Sequence, residues 1–367
     1  MRLAKILLRL SILSAIFLAT RSAELTAQTA TGSIIGTITD QSGAVVSGVA
    51  VTLASVTTGT SRTVVTTEAG TYSAVALLPG AYKVTYEATG FGKGEQTLTV
   101  TVGATTTGDF TMPLASQVTK IEVQIDSAVS VNTTQAVVED LMSEKQIQEI
   151  PLNGRNFLDL AQLNAGVQLQ DGGNLDPTKQ GFAAVSMQGR SGRSSRIEVD
   201  GVDVTDDTVG TTTTNLSEES IQEFQVAQST LDPANSVTTS GAVNIITRAG
   251  GNEIHGSAFY LYRNNAMSAS INGSDAPFDR SIVGVRVGGP LIKDKVFWFL
   301  NYEHTLQHGS TFAQAEAPFS QFTGAFPVPF HETLATARAD WNVTKTWRAF
   351  YAFHFDQMNL ITGFGGI

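Results

Sequence analysis

The side chains best placed by type to do chemistry are five histidines, a run of aspartates and a small cluster of arginines. His331-Glu332 begins like the helix of a zinc protease, but the position that needs the second histidine holds Ala335. None of His255, His304, His308, His331 and His354 has a glutamate three residues further on. Asp200, Asp203, Asp206 and Asp207 offer oxygens to calcium, yet the glycine and closing glutamate of an EF-hand loop are missing. A solvated turn is the simpler reading of those four. Arg190, Arg193 and Arg196 lie in a Ser/Gly-rich stretch, where guanidinium groups can hold an anion or pair with acids of a facing surface. No Gly-rich phosphate loop, Ser-His-Asp set or convincing carboxylate pair is present. The expectation is a protein with no catalytic, cofactor or metal site, whose work is binding.

Composition narrows this further. The chain has 367 residues, no cysteine, 34 glycines, 15% charged residues and a net charge of −10. Without cysteine there are no disulfides, thiolate sites or cysteine nucleophiles. A negative chain cannot neutralise phosphates in bulk, so nucleic acid is not an expected partner. Abundant Thr, Ser, Val and Gly favours strands joined by turns, with length for two or three domains. Arg2, Lys5 and Arg9 precede an apolar run, Leu10 to Ala19, and Leu25-Thr26-Ala27 offers a cleavage site before Gln28. The run is too short to span a bilayer as a helix, so residues 1–27 read as a cleaved signal peptide, with an uncleaved anchor as the alternative.

Strand-like runs then recur between Gly, Pro and Ser-Gly turns: Ser33 to Thr39, Val49 to Ala54, Arg62 to Thr67, Thr71 to Val75, Tyr82 to Tyr86, Thr97 to Val102 and Phe110 to Leu114. Seven short strands predict a sandwich. Tyr82, Val84 and Tyr86 share one face, as do Leu98, Val100 and Val102, and both sets should be core. The phrases GSIIGTITDQSGAVVSGVAVTL and TEAGTYSAVALLPGAYKVTYEATGF, with Gly70, Tyr72, Leu78, Pro79, Gly80, Tyr82, Gly90 and Phe91 in place, resemble the carboxypeptidase-regulatory-like, prealbumin-like sandwich. That resemblance spans 31–115 and implies a carbohydrate-binding-like fold, not a peptidase.

Residues 116–131 read as a linker. Within it Lys120, Ile121, Glu122, Val123, Gln124 and Ile125 have two readings: the first strand of the next domain, or a segment that pairs its backbone with a partner's sheet edge. From 132 to 250 the pattern is mixed α/β. Ile147, Ile150, Phe157, Leu160 and Leu163 have helical spacing, interrupted by Pro151 and closed by Gly166. Beyond 250 the alternation is strand-like. Ile254, Gly256, Ala258, Tyr260 and Tyr262 oppose His255, Ser257, Phe259, Leu261 and Arg263, which fits either a membrane strand with a polar lumen or a half-buried soluble strand. Further strands are expected at Ile282 to Gly289, Lys295 to Glu303, Leu334 to Val343 and Lys345 to Phe355, with tryptophans near the last turn.

The stretch SGAVNIITRAGGNEIHGSAFYLYRN resembles the junction between plug and barrel in TonB-dependent outer-membrane receptors, specifically the Oar-like group. Pro151-Leu152-Asn153-Gly154-Arg155-Asn156, SMQGRSGRSSRIEVDGVDV and GGPLIKDK followed by FWFLNYEH resemble that group's plug and early barrel in the same order. The resemblance implies a mainly β chain: a seven-stranded prealbumin-like sandwich (31–115), a mixed α/β plug domain (132–250) and the first strands of a transmembrane β-barrel (251–367). It makes Lys120 to Ile125 the candidate TonB box, and Arg190, Arg193, Arg196, Asp200 and Gly201 the plug motif. Implied partners are the TonB energy-coupling complex, outer-membrane lipid and an unidentified extracellular solute, carbohydrate among the candidates. Such barrels have roughly 22 strands, so a chain stopping after five reads as a truncated receptor. The reading from another class is a secreted or surface-attached carbohydrate-binding adhesin.

Overall fold

A computed structural model of the protein describes residues 31–114, 123–124, 139–228, 240–267, 277–313, 315–344 and 347–361. The cleavage segment and Lys120, Ile121, Glu122 and Ile125 lie outside the described residues.

The first unit is built from β1 (Gly32–Thr39), β2 (Ala50–Ser55), β3 (Ser61–Val65), β4 (Thr71–Leu77), β5 (Gly80–Glu87), β6 (Gly94–Val100), β7 (Thr105–Thr107), β8 (Phe110–Thr111) and β9 (Val123–Gln124). One sheet runs β4-β1-β7 with β8 also on β1, and the other runs β3-β2-β5-β6-β9. β7 is one strand more than the periodicity predicts. It and β8 both pair parallel to β1, split at Gly108-Asp109, where a Cβ on Gly108 would lie 2.4 Å from the Tyr72 hydroxyl. The alternating residues Tyr82, Val84, Tyr86, Leu98 and Val100 are buried between the sheets with Ile34, Ile38, Val51 and Leu53. Polar groups inside are satisfied: the Gly108 carbonyl accepts from Tyr72 Oη at 2.7 Å, and Tyr86 Oη donates to Gln96 Oε1 at 3.1 Å. Tyr86 also stacks on Phe110 at 4.4 Å. Burial pushes the Tyr72 hydroxyl up to about 12, so both tyrosines stay neutral hydrogen-bond donors.

The second unit has a sheet ordered β10-β15-β16-β13-β14 and a separate β11-β12 hairpin. Its strands are β10 (Glu139–Ser143), β11 (Val167–Asp171), β12 (Ala183–Met187), β13 (Ser195–Val199), β14 (Val202–Asp203), β15 (Ile221–Ala227) and β16 (Gly241–Thr247). Helix α1 (Glu144–Glu149) starts at Ser143, which forms a capping box with Gln146, and ends at Ile150 because Pro151 follows. The second half of the expected helical pattern is instead a 3-10 turn, Phe157–Leu163, capped by Asn156. Phe157, Leu158 and Leu160 of this turn join the core, whereas Leu163, its last residue, is 54% exposed. Between the two, Gly154 (φ +92°) and Arg155 (φ +58°) turn the chain through the left-handed region. Helix α2 (Gly172–Leu175) caps the β11-β12 end.

The third unit is one antiparallel sheet, β17-β18-β19-β22-β23: β17 (His255–Asn264), β18 (Asp279–Ile292), β19 (Val296–His308), β22 (Phe330–Asn342) and β23 (Arg348–Leu360). A small hairpin, β20 (Ser310–Ala313) with β21 (Gly324–Pro327), decorates the long connection between β19 and β22. The strands are 10 to 14 residues long, enough for a tilted bilayer crossing. Their two faces differ in kind. Tyr260, Tyr262, Val283, Val285, Leu300, Tyr302, Tyr351, Phe353 and Phe355 are exposed on one side, whereas Phe299, Asn301, Glu303, Thr305, Thr336 and Arg338 are buried on the other, against the second unit. An apolar outside and a polar inside is the dyad pattern of an outer-membrane wall. No helix among the described residues is long and apolar enough to cross a membrane.

Candidate functional site

The chemistry of this molecule is concentrated where the second unit meets the polar face of the strand wall. Arg155, thrown outward by its positive φ, reaches Glu218 at 3.0 Å and Glu219 at 3.5 Å on its own unit, and Glu303 of β19 at 3.4 Å. Its guanidinium lies 4.4 Å above the Phe259 ring of β17. Phe259 can lie flat there because its neighbour across the ladder is Gly284, where a Cβ would come within 2.3 Å of the ring. Ser217 Oγ donates to Glu303 Oε2 at 2.6 Å, tying the unit's chain to the wall beside the ion pairs. Burial pushes the Glu218 carboxyl up to about 7 even though Arg155 pulls the other way.

A second cluster sits at the start of α1. Arg248, just past β16, pairs with Glu144, and Arg286 of β18 lies 3.7 Å from Glu144 and 3.0 Å from Glu219. Burial lowers the Arg248 pKa, with Glu144 opposing. The third cluster is centred on Asp200. It occupies a positive φ of 50° at the β13-β14 turn with Gly201 (φ +80°) beside it, and its carboxylate accepts from Thr247 N–H at 3.0 Å and Thr247 Oγ at 2.5 Å. Arg338 of β22 closes on the same carboxylate at 3.0 Å, while binding Asp340 at 2.9 Å and lying 4.7 Å above Phe350. Further along, Asn215 donates its N–H to Asp356 at 2.8 Å and its side-chain amide to Glu332 at 3.0 Å. Near that end Asp171, Asn174, Gln180, Phe330 and Leu360 line a shallow cleft between the α2 region and the wall.

The residues singled out from sequence divide unevenly over this seam. Asp200 is in it, and Gly201 makes its turn possible. Arg196 is not: it pairs with Asp203 at 3.3 Å and Asp207 at 3.2 Å within its own unit. Arg190 and Arg193 are exposed on the β12-β13 connection, so the three arginines do not converge on one anion. Asp206 binds Lys179 at 2.5 Å, which holds its carboxyl down to about 2, and the aspartate run forms no metal-binding group among the described residues. Val123 and Gln124 form β9, pairing parallel to Gln96 and Thr97 at the edge of the sandwich sheet. Arg155, Glu218, Glu303 and Arg338 carry most of the seam and were not singled out. The signals available were Arg155 inside the Pro151 to Asn156 phrase, and Arg338 on the polar face of a strand that ends in tryptophan.

Comparison with known proteins agrees with this architecture. Residues 33–113 match the carboxypeptidase regulatory-like domain, and residues 246–346 match an outer membrane beta barrel domain. The TonB-dependent transporter Oar of Myxococcus xanthus is 28% identical over 168 residues, covering 41% of this chain and 15% of that protein. Among solved structures, the siderophore receptor PirA of Acinetobacter baumannii (20% identity, TM-score 0.45) and the outer membrane transporter YddB of Escherichia coli (12% identity, TM-score 0.49) overlay 61% and 60% of this chain. They do so with 32% and 33% of their own length. The chain thus spans 15% of the curated relative and about a third of each solved receptor. This mainly β chain thus joins a sandwich that matches the carboxypeptidase regulatory-like domain to a strand wall that matches an outer membrane beta barrel domain, and over 168 residues it is similar to the TonB-dependent transporter Oar.

Proposed function

We propose that this protein takes part in TonB-dependent uptake of a solute across the outer membrane, with residues 132–250 acting as a plug seated on the barrel wall. The observation that carries the reading is the chemistry of the seam. Domains meant to stay together meet through apolar surface, which water cannot replace. Here the plug meets the wall through Arg155, Glu144, Asp200 and Asn215 and their partners, each able to exchange a protein partner for water. Such an interface holds a plug in register yet lets it rearrange without exposing a hydrophobic core. The exposed aromatic and aliphatic side chains of β17, β18, β19 and β23 face outer-membrane lipid.

In this reading Lys120 to Ile125 is the segment offered to TonB by backbone pairing, and the sandwich lies on the periplasmic side after signal-peptide cleavage. Arg190 and Arg193 are exposed contacts of the plug rather than part of its seating. The cleft at Asp171, Gln180 and Phe330 is where an arriving solute first meets both plug and wall. No catalytic step is assigned, and the solute class stays open, carbohydrate included. The test is growth-linked uptake: cells carrying the full receptor gene are fed labelled candidate solutes with and without TonB. Uptake that needs both the receptor and TonB is expected. A receptor found only in soluble fractions, with glycan affinity and no uptake, would sink the reading.

A further inference from the structure

The sandwich does not stand apart from the rest of the molecule. Its β2-β3, β4-β5 and β6-β7 connections lie at one end, as the pairings Ser55↔Tyr82, Gly32↔Leu77 and Gly80↔Val100 require. Backbone groups from each of the three are satisfied by another unit. The Thr57 carbonyl accepts from Asn252 N–H at 2.9 Å, at the entry to β17. The Ala76 carbonyl, at the end of β4, accepts from Arg348 Nη2 at 3.1 Å, at the start of β23. Val102 N–H donates to Glu223 Oε2 of plug strand β15 at 3.1 Å, and both residues are buried. Asn252 is itself fixed, donating its amide to Asp294 in the β18-β19 turn at 2.7 Å.

Turn backbones leave N–H and C=O groups unpaired, and a free module would give them to water. Here a carboxylate, a guanidinium and a junction N–H take them up, on plug and wall alike. Val102 and Glu223 are also more than a hundred residues apart in sequence, so their burial is not a local accident of the chain. We propose, building on the plug reading above, that the sandwich is a docked cap. It bridges β15 of the plug to the short turns of the wall and closes the periplasmic mouth, so that the plug cannot be reached from that side until the sandwich lifts.

These 367 residues contain no cysteine, so each introduced pair is the only thiol pair within them. Full-length receptor in outer membranes is oxidised after introducing Thr57→Cys with Asn252→Cys, or Lys93→Cys with Asn252→Cys as the control at the far end of the sandwich. Disulfides form only where Cα atoms approach within about 7 Å, so the first pair should crosslink at least ~10-fold more than the second. Equal yields, or no crosslink at Thr57/Asn252 while Ala50→Cys with Val65→Cys closes inside the sandwich, would overturn the docking. In the Thr57/Asn252 background, Glu223→Gln keeps an acceptor oxygen and should leave the yield unchanged, whereas Glu223→Lys should lower it several-fold. An unchanged yield with Glu223→Lys removes the plug from the docking surface. These readouts concern geometry in the membrane and stand or fall apart from any uptake measurement.

Discussion

The sandwich interior and the plug–wall seam bury side chains of opposite character. Between the sandwich sheets, Ile34, Val51, Val84, Tyr86 and Val100 exclude water, and the few polar atoms find partners within the same unit. Along the seam, Arg338, Glu218 and Glu303 are just as hidden and Arg155 nearly so, and the pairs Arg155–Glu303 and Arg338–Asp200 join one unit to another. The first arrangement is favourable because apolar area leaves water, at roughly 25 cal/mol per Å². The second gains little net energy, because desolvation offsets most of the attraction, but it punishes any mismatch. On the proposed reading, one part of the molecule is built to persist, and the other to fit one position and release from it.

The strongest way to break this contrast is to attack the sandwich core. Tyr86→Ala should cost about 3–5 kcal/mol by removing a fully buried aromatic side chain, read as a lower melting transition of the sandwich with plug seating unchanged. If plug seating fails with it, the two units are not energetically separate. Next is Arg338→Ala, which strands Asp200 without its cation. The expected loss is about 3 kcal/mol of plug seating, seen as a lower urea concentration for protease cleavage within 132–250 in outer membranes. A negligible effect would mean that the seam is already hydrated and that its ion pairs guide more than they hold.

A comparable effect comes from pH. Burial pushes the Glu223 carboxyl up to about 7, opposed only by the Val102 N–H. The folded protein therefore holds this proton more tightly than the unfolded chain does. Its contribution is fully present below the ordinary glutamate range and is lost as pH rises from about 4.5 through 7, an effect of about 3 kcal/mol. Stability measured between pH 5 and pH 8.5 should fall, and Glu223→Gln should make the fall shallower, leaving the share of Glu218. The smallest effect is expected at Lys83–Glu95 on the sandwich surface, 2.8 Å apart with the lysine half exposed. Lys83→Ala should change the melting transition by less than about 0.5 kcal/mol, which calibrates what an ion pair is worth outside the seam.

These two regions were not equally legible in the sequence. The sandwich and wall announce themselves by a period of two, so Tyr82, Val84 and Tyr86, and the opposed faces of β17, β22 and β23, could be assigned without coordinates. The seam has no period. Its pairs join residues as far apart as Asp200 and Arg338, and nothing local marks which arginine will meet which acid. Arg190, Arg193 and Arg196 drew notice by clustering, yet Arg190 and Arg193 lie on an exposed connection and Arg196 lies in β13, paired within its own unit. Arg155 stood alone, and it was a left-handed backbone conformation beside Gly154 that aimed it at the wall. The helical spacing over 147–163 was real at Ile147 and Phe157, but Pro151 split it and the second part tightened into a 3-10 turn.

The docking of the sandwich has a consequence for what surrounds the cell. Antiparallel strands alternate in direction, so Asp294, Arg348 and Asn252, which touch the sandwich, define one rim of the wall. The ends of β17 and β19, the start of β22 and the end of β23 all belong to the other rim, together with Asp171 to Gly181 of the second unit. On the proposed reading, with the sandwich in the periplasm, the described residues open to an antibody, a phage or an added protease on an intact cell would lie on that second rim. One contact at the base of the molecule would thereby sort the described residues into what the environment can select on and what it never sees.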